Sequence, residues 1–436
     1  MNHSSVVLQQ VRVVEPASGI DKVADISIAD GKIQLIADNL NFTSEEASLD
    51  CRGLILGPGL VDLYSRSGEL GFEHRETFSS LSAAAAAGGF TRIAVMPNPV
   101  FSGDQSVAIP SLKQLATIRA ANDKSYLSSL TDIQFWGALT NQQQQTELAS
   151  LAEQVLGFVH AEPIEDFNLL LQSLKYLNQL KKPVGLVAAS PRLKRDGVVR
   201  EGVDSLRYGF SGDPALSESA AIAALLEVIA VADTPAHLMR ISTRRSVELI
   251  ADAKARGVPV TASTSWMHLL LDTRATGSYD PNLRLDPPLG TGSDREALIE
   301  GVRQGIIDAI AVDHTPYTYE EKTVAFAEAP AGAIGLELAL PLLWQQFVTS
   351  GEWTATQLWQ ALSVGPQRCL HQEPISCALG HKAELTLFDP QTSWTVEAHN
   401  LQSLCANTPW LGKQIVGRVV RVWNGSEVDS NSHHYS

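Results

Sequence analysis

Residues 57–99 read GPGLVDLYSRSGELGFEHRETFSSLSAAAAAGGFTRIAVMPNP. The order of patterns in this stretch decides the fold. LVDLYS is a short strand-like run, and on a strand Asp62, Tyr64, Arg66 and Gly68 share one face. The small residues of AAAAAGG (83–89) allow close helix-to-sheet packing and a chain reversal. They do not form a phosphate loop, because the G-x-x-x-x-G-K spacing is absent. RIAVMP then reads as a second strand, so strand, helix and strand succeed one another as in a parallel βα unit.

The same alternation continues outward. KPVGLVAA, AHLMRIS, VPVTAS and DAIAVD are strand-like, and ESAAIAALLEVIAVA and REALIEGVRQG are helical. That is enough for a barrel. A helix is expected from Ser217 to Ala232, with Ser217 as N-cap and Glu218 at its positive end. The two ends of the chain read differently. VVLQQVRVV and ADISIADGKIQLIA near the start, and AELTLFDP, SWTVEA and GRVVRVWNGSEV near the end, are antiparallel β patterns with hairpin turns at Asp30-Gly31 and Asn424-Gly425. The expected fold is therefore α/β: a (β/α)8 TIM-type barrel over 57–382, with a small β-sandwich built from residues 1–56 and 383–430. Residues 431–436 form a loose polar tail. There is no internal repeat, and the only biased tract is Gln142 to Gln145.

Composition narrows the class. The chain has 436 residues, 44% hydrophobic and 19% charged, which suits a barrel with an appended unit and excludes disorder as the main state. A net charge of −15 disfavours a nucleic-acid or anionic-membrane surface. Cys51, Cys369, Cys377 and Cys405 are scattered and form no C-x-x-C pair, which fits a reducing cytoplasm rather than a disulfide framework. Neither an export signal nor an apolar run long enough to span a membrane is read.

Five further blocks, in order, resemble the long form of the dihydroorotase family: EGVDSLRYGFSGDPALSES (201–219), ISTRRSVELIADAKARGVPVTAS (241–263), DPPLGTGSDREALIEGVRQGIIDAIAVDHTPYTYEEK (286–322), APAGAIGLELALPLL (329–343) and ANTPWLGKQIVGRV (406–419). With the opening stretch, the resemblance covers nearly the whole chain. It implies a metal-dependent amidohydrolase barrel flanked by a sandwich, and the interconversion of carbamoyl aspartate and dihydroorotate in pyrimidine biosynthesis. Opening a stable cyclic amide needs a hydroxide nucleophile and a polarised carbonyl, which two metal ions commonly supply.

The family's zinc ligands transfer poorly. Its first-strand histidines fall on Tyr64 and Arg66, its bridging acid on His160, and two later histidines on Val187 and Arg240. Only Asp313, the family's base and metal ligand, is retained. A guanidinium has no lone pair to give and stays protonated. One carboxylate cannot hold a metal pair, so no cofactor is expected. His160 and Glu162, two apart on a strand, are the remaining candidate for a weak metal pair. Asn98 matches a substrate-contacting residue, and His314 is read either as a substrate-site relic or as a hydrogen-bonded residue at the barrel mouth. Gly68 stands where an arginine clamps the substrate carboxylate; Tyr317, Asp286 and Gly290 replace a histidine, an asparagine and an arginine. His237 and His268 read as packing residues. Arg66 or Arg240 is expected to pair with Asp313 in place of the lost metal charge.

These residues imply a catalytically inactive, dihydroorotase-like protein that acts as a structural or regulatory partner of aspartate transcarbamoylase, an association inherited from the resemblance alone. Self-association as a homo-oligomer stays open. The alternative is an active dihydroorotase or another cyclic amidohydrolase with an atypical site, working through Asp313, His314 and His160.

Overall fold

A computed structural model describes residues 5–38, 47–97, 111–116, 131–139, 145–160 and 166–425. Asn98, Glu162, Gln142 to Gln144 and the tail lie outside the described residues.

The apolar runs at both ends join in one mixed sheet. Its strands are β1 (Val6–Glu15), β2 (Ile20–Ala29), β3 (Lys32–Ala37), β4 (Ala47–Asp50) and β5 (Ile55–Pro58), with β16 (Glu384–Thr395) and β17 (Gln414–Asn424) from the other end. The order is β17-β16-β5-β1-β2-β3, with β4 alongside β1. Asp30 and Gly31 both have positive φ, 53° and 67°, which is the turn that Asp-Gly favours between β2 and β3. Asn424 closes β17, and residues 426–436 lie outside the described residues.

The strands of the central region form a second, parallel sheet: β6 (Leu60–Ser65), β7 (Phe90–Val95), β8 (Asp132–Ala138), β9 (Gly157–His160), β10 (Val184–Val187), β13 (Ala236–Met239), β14 (Val260–Ser265) and β15 (Ala309–Ala311). The short β11 (Val199–Arg200) and β12 (Gly212–Asp213) pair separately. The barrel closes between β15 and β6 through few bonds. Asp62 Oδ1 accepts the Val312 N–H at 2.7 Å, and Arg66 N–H donates to the His314 carbonyl at 2.8 Å. Val61, Leu63, Tyr64, Ala94, Trp136, Val159 and Met239 fill the interior as a continuous buried cluster.

Helices cover this sheet for reasons legible in their sequences. In Phe167–Leu180, Asp166 caps the first turn by accepting the Asn168 and Leu169 N–H groups, and the chain leaves through Lys181 in the left-handed region. Leu170, Leu174 and Leu177, spaced four and three apart, are the buried stripe. Each contributes up to about 1.5–3 kcal/mol by leaving water. The helix Leu216–Ala232 corrects one expectation: its N-cap is Ala215, not Ser217. The Ser217 hydroxyl lies inside the first turn and donates to Asp213 Oδ1 at 2.5 Å, so a tertiary acceptor has won over the local capping rule. Among the described residues, no helix is long and apolar enough to cross a membrane.

The terminal sheet is tied to the barrel by polar contacts under the strands. Glu384 accepts from Thr91 Oγ1 at 2.8 Å and pairs with Arg92 at 2.7 Å, while Trp359 Nε1 donates to the Pro58 carbonyl.

Candidate functional site at the barrel mouth

Tyr64, His160, Val187, Arg240 and Asp313 all lie at or just beyond the C-terminal ends of barrel strands, and Arg66 comes directly after β6. This is the end where barrels of this kind place their chemistry. The six positions carried over from the family motif therefore face one end of the barrel, although their side chains no longer form a ligand set.

Asp313 and Arg240 are a direct ion pair, with Arg240 Nη2 2.6 Å from Asp313 Oδ1 and side-chain exposures of 20% and 12%. Both backbones are left-handed, Arg240 at φ 60° and Asp313 at φ 54°, so each strand end turns sharply to present its side chain. Burial pulls the Arg240 guanidinium down, but Asp313 and Tyr64 outweigh it and leave it above its usual range. The expected stand-in for the metal charge is thus Arg240, and Arg66 is not in the pair.

Tyr64 is fully buried and has become a hydrogen-bonding post. Its hydroxyl accepts the Arg240 N–H at 3.2 Å and shares a hydrogen bond with Ser263 Oγ at 3.2 Å. Burial, and then the charge of Asp313, push its phenol well above its ordinary value, so it is neutral. Ser263 also meets His237 Nε2 at 2.8 Å, and His237 Nδ1 meets Thr261 Oγ1 at 2.9 Å. Burial lowers His237 to about 3, so this interior histidine is neutral and has both nitrogens occupied.

His314 is placed away from the ion pair. Its Nδ1 accepts the N–H of Gly335 at 3.2 Å, which leaves Nε2 as the donor to Glu76 Oε2 at 3.3 Å. Glu76 is buried and also accepts from the hydroxyls of Ser80 and Ser403. Sequence reasoning missed Glu76 and Ser263, and no local pattern announces either. His160 is buried at the end of β9. Its proposed neighbour Glu162, like the substrate-contacting candidate Asn98, lies outside the described residues.

The positions of the lost anion clamp have closed. A Cβ at Gly68 would come within 2.0 Å of the Phe72 carbonyl oxygen, and one at Gly290 within 2.8 Å of the Ser242 carbonyl oxygen. Neither backbone leaves room for an arginine. Asp286 is ion-paired with Lys194. Beyond the end of β13, the blocks at 201–219 and 241–263 serve a buried scaffold: Glu218 accepts the N–H groups of Ser242 and Thr243 at 3.0 and 3.1 Å, and Arg200 lies 3.8 Å from it while donating to Ser242 Oγ at 2.7 Å.

The donor set does not fit a metal pair. Two of its positions are guanidinium groups, one is a valine, and the retained carboxylate is committed to Arg240. Among the described residues, no group of three or more His, Cys, Asp or Glu side chains converges as a metal site would require.

The parallel barrel and the mixed sheet built from both ends of the chain define a TIM-type barrel protein. Its fold matches L-hydantoinase from Arthrobacter aurescens, with a TM-score of 0.84 at 20% identity over 97% of each chain. It likewise matches dihydropyrimidinase from Brevibacillus agri NCHU1002, at 0.82 and 20% identity over 97% of this chain and 94% of that one. No protein-family model matches the chain. In sequence it is 42% identical to a probable dihydroorotase-like protein of Synechocystis, across 94% of this chain and 98% of the relative. It is 32% identical to a dihydroorotase of Solibacter usitatus, across 94% and 95%. The chain belongs to the dihydroorotase family.

Proposed function

We propose that this chain is a dihydroorotase-like protein of pyrimidine biosynthesis that has lost metal-dependent hydrolysis and serves as a structural or regulatory partner of aspartate transcarbamoylase. The Arg240–Asp313 pair carries the first half of this reading. It sets a fixed cation against the one carboxylate that the family motif retains. A guanidinium neutralises charge but cannot bind and activate a water as a metal does, and polarising a cyclic amide without a Lewis acid forgoes several kcal/mol of transition-state stabilisation. The partner half rests on the sequence resemblance to noncatalytic family members alone; the relative at 42% identity is named a probable dihydroorotase-like protein, and those named dihydroorotase stand at 31–34%.

Two measurements on the purified chain test the proposal. Dihydroorotate ring opening is monitored with zinc supplied, and the chain is run on a sizing column with aspartate transcarbamoylase from the same source. The expected result is no zinc-dependent turnover together with co-elution. Turnover that disappears in Asp313→Asn would instead establish a working hydrolase, and separate elution would remove the partner half.

A further inference from the structure

At the barrel mouth lies a cavity of about 310 Å³ whose wall includes Arg66, Arg240, His268, Asp286, Asp313 and Tyr317. Its wall carries two charges of each sign, Arg66 and Arg240 against Asp286 and Asp313, but they do not pair off within it. Arg240 is matched by Asp313, and Asp286 by Lys194. His268 is buried, which favours its neutral form, and its Nε2 faces the Pro288 carbonyl at 3.3 Å. One charge remains. Among the described residues, the Arg66 guanidinium has no hydrogen-bond or ion-pair partner, although its backbone N–H is fixed to the His314 carbonyl. Arg240 Nε is buried and likewise unmatched.

An arginine on an open surface needs no partner, because water serves. Arg66 is only partly exposed, and burial, then the charge of Arg240, pulls its guanidinium below the usual value, with Asp313, Tyr317 and Asp286 opposing. A cation held partly out of water beside a second cation is unfavourable until an anion arrives. The planar fork of a guanidinium matches two oxygens of a carboxylate or phosphate. The cavity volume falls at the small end of ligand pockets.

We propose that this cavity binds one small oxyanion, a carboxylate or a phosphate group, clamped by the Arg66 guanidinium with Arg240 at its flank. The site occupies positions that the family gives to metal ligands, and it exchanges a bound cation for a bound anion. It does not depend on association with aspartate transcarbamoylase.

The test uses the full-length protein in buffer free of oxyanions. Binding of inorganic phosphate and of acetate is measured by calorimetry, with sodium chloride at matched ionic strength as control. One saturable site per chain is expected for at least one probe, weakened about tenfold or more in Arg66→Gln, since the forked contact is lost. Saturation by phosphate alone identifies a phosphate group as the ligand chemistry, and saturation by acetate a carboxylate. Without any oxyanion, Arg66→Gln should unfold at a higher temperature than the parent, because it relieves the repulsion by Arg240. Saturating probe should reverse that order. Arg66→Lys keeps the charge without the fork and should bind more weakly than the parent, which carries the test if the Gln variant fails to fold. Absence of saturable binding by either probe up to about 10 mM, or undiminished binding in the Arg66 variants, overturns the proposal.

Discussion

Removing the carboxylate of Asp313 should expose how far Arg240 depends on it. Asp313→Asn preserves shape, and asparagine tolerates the left-handed backbone at φ 54°, so backbone strain is nearly unchanged. What changes is that Arg240 loses the partner 2.6 Å away while remaining beside Arg66. Breaking a fully buried pair from one side costs about 3–5 kcal/mol. Exposures of 12% and 20% let water take up part of the charge, which brings the expectation to roughly 2–4 kcal/mol. Arg240→Gln likewise keeps the side chain unbranched at φ 60°, and it should cost less, because it leaves a carboxylate with a hydrogen-bond donor still in reach. The double variant removes both charges and should recover much of the loss, giving a coupling energy of about 1.5–3 kcal/mol. Equilibrium urea unfolding of the four proteins, read by tryptophan fluorescence, measures the cycle. Single-variant effects that add to within about 0.5 kcal/mol would refute the ion pair as the element that replaced the metal charge.

Neighbouring residues give three further outcomes. Burial pushes Asp62 up to about 7, against the Ser65 and Val312 hydrogen bonds, from 3.8 in an unperturbed carboxyl. The folded protein therefore keeps a proton that the unfolded chain releases first. This contribution to stability is intact below about pH 4 and is lost as pH rises through 7, with a limiting slope near 1.4 kcal/mol per pH unit. Asp62→Asn should remove that slope, so its unfolding midpoint should gain on the parent's between pH 4 and 7; parallel profiles would contradict the assignment. Glu218→Ala should cost about 2–4 kcal/mol in urea unfolding, because it leaves two buried backbone N–H groups without acceptors and Arg200 with Asp213 as its remaining carboxylate, and a loss below about 1 kcal/mol would show that water replaces the carboxylate. Gly68→Arg, which puts back the family's clamp residue, should lower stability by at least about 1–3 kcal/mol because its Cβ has no space beside Phe72 and Glu76; an unchanged thermal midpoint would mean that the loop yields freely.

The sequence revealed most where structure is local. The parallel strands announced themselves as short β-branched runs, the Asp30-Gly31 turn by its dipeptide, and the six ligand positions by their offsets within motifs that end strands. It revealed least where a partner is remote. Glu76 lies 238 residues from the His314 ring it accepts from, and Ser263 lies 199 from the Tyr64 hydroxyl; only closure of the barrel brings them together. Ser217 shows the same limit on a small scale. Its N-cap reading is sound as local chemistry, but Asp213, supplied by the preceding strand, offers a buried carboxylate that the local rule does not see.

The manner of replacement separates a rebuilt pocket from one that has simply lost its ligands. Taking histidines from a metal centre would leave a carboxylate and ring nitrogens without partners in the barrel interior, each costing about 1–3 kcal/mol or more. Here Asp313 has Arg240, Tyr64 has Ser263 and the Arg240 backbone, and His237 has Ser263 and Thr261. At Gly68 and Gly290 the neighbouring backbone leaves no room for a longer side chain. Against so much compensation Arg66 stands out, a guanidinium in the cavity wall with no direct hydrogen-bond or ion-pair partner among the described residues, although Asp313 and Asp286 share the cavity. With Asp313 taken up by Arg240 and Asp286 by Lys194, the physical account that fits this unpaired guanidinium is a counter-ion from outside the chain.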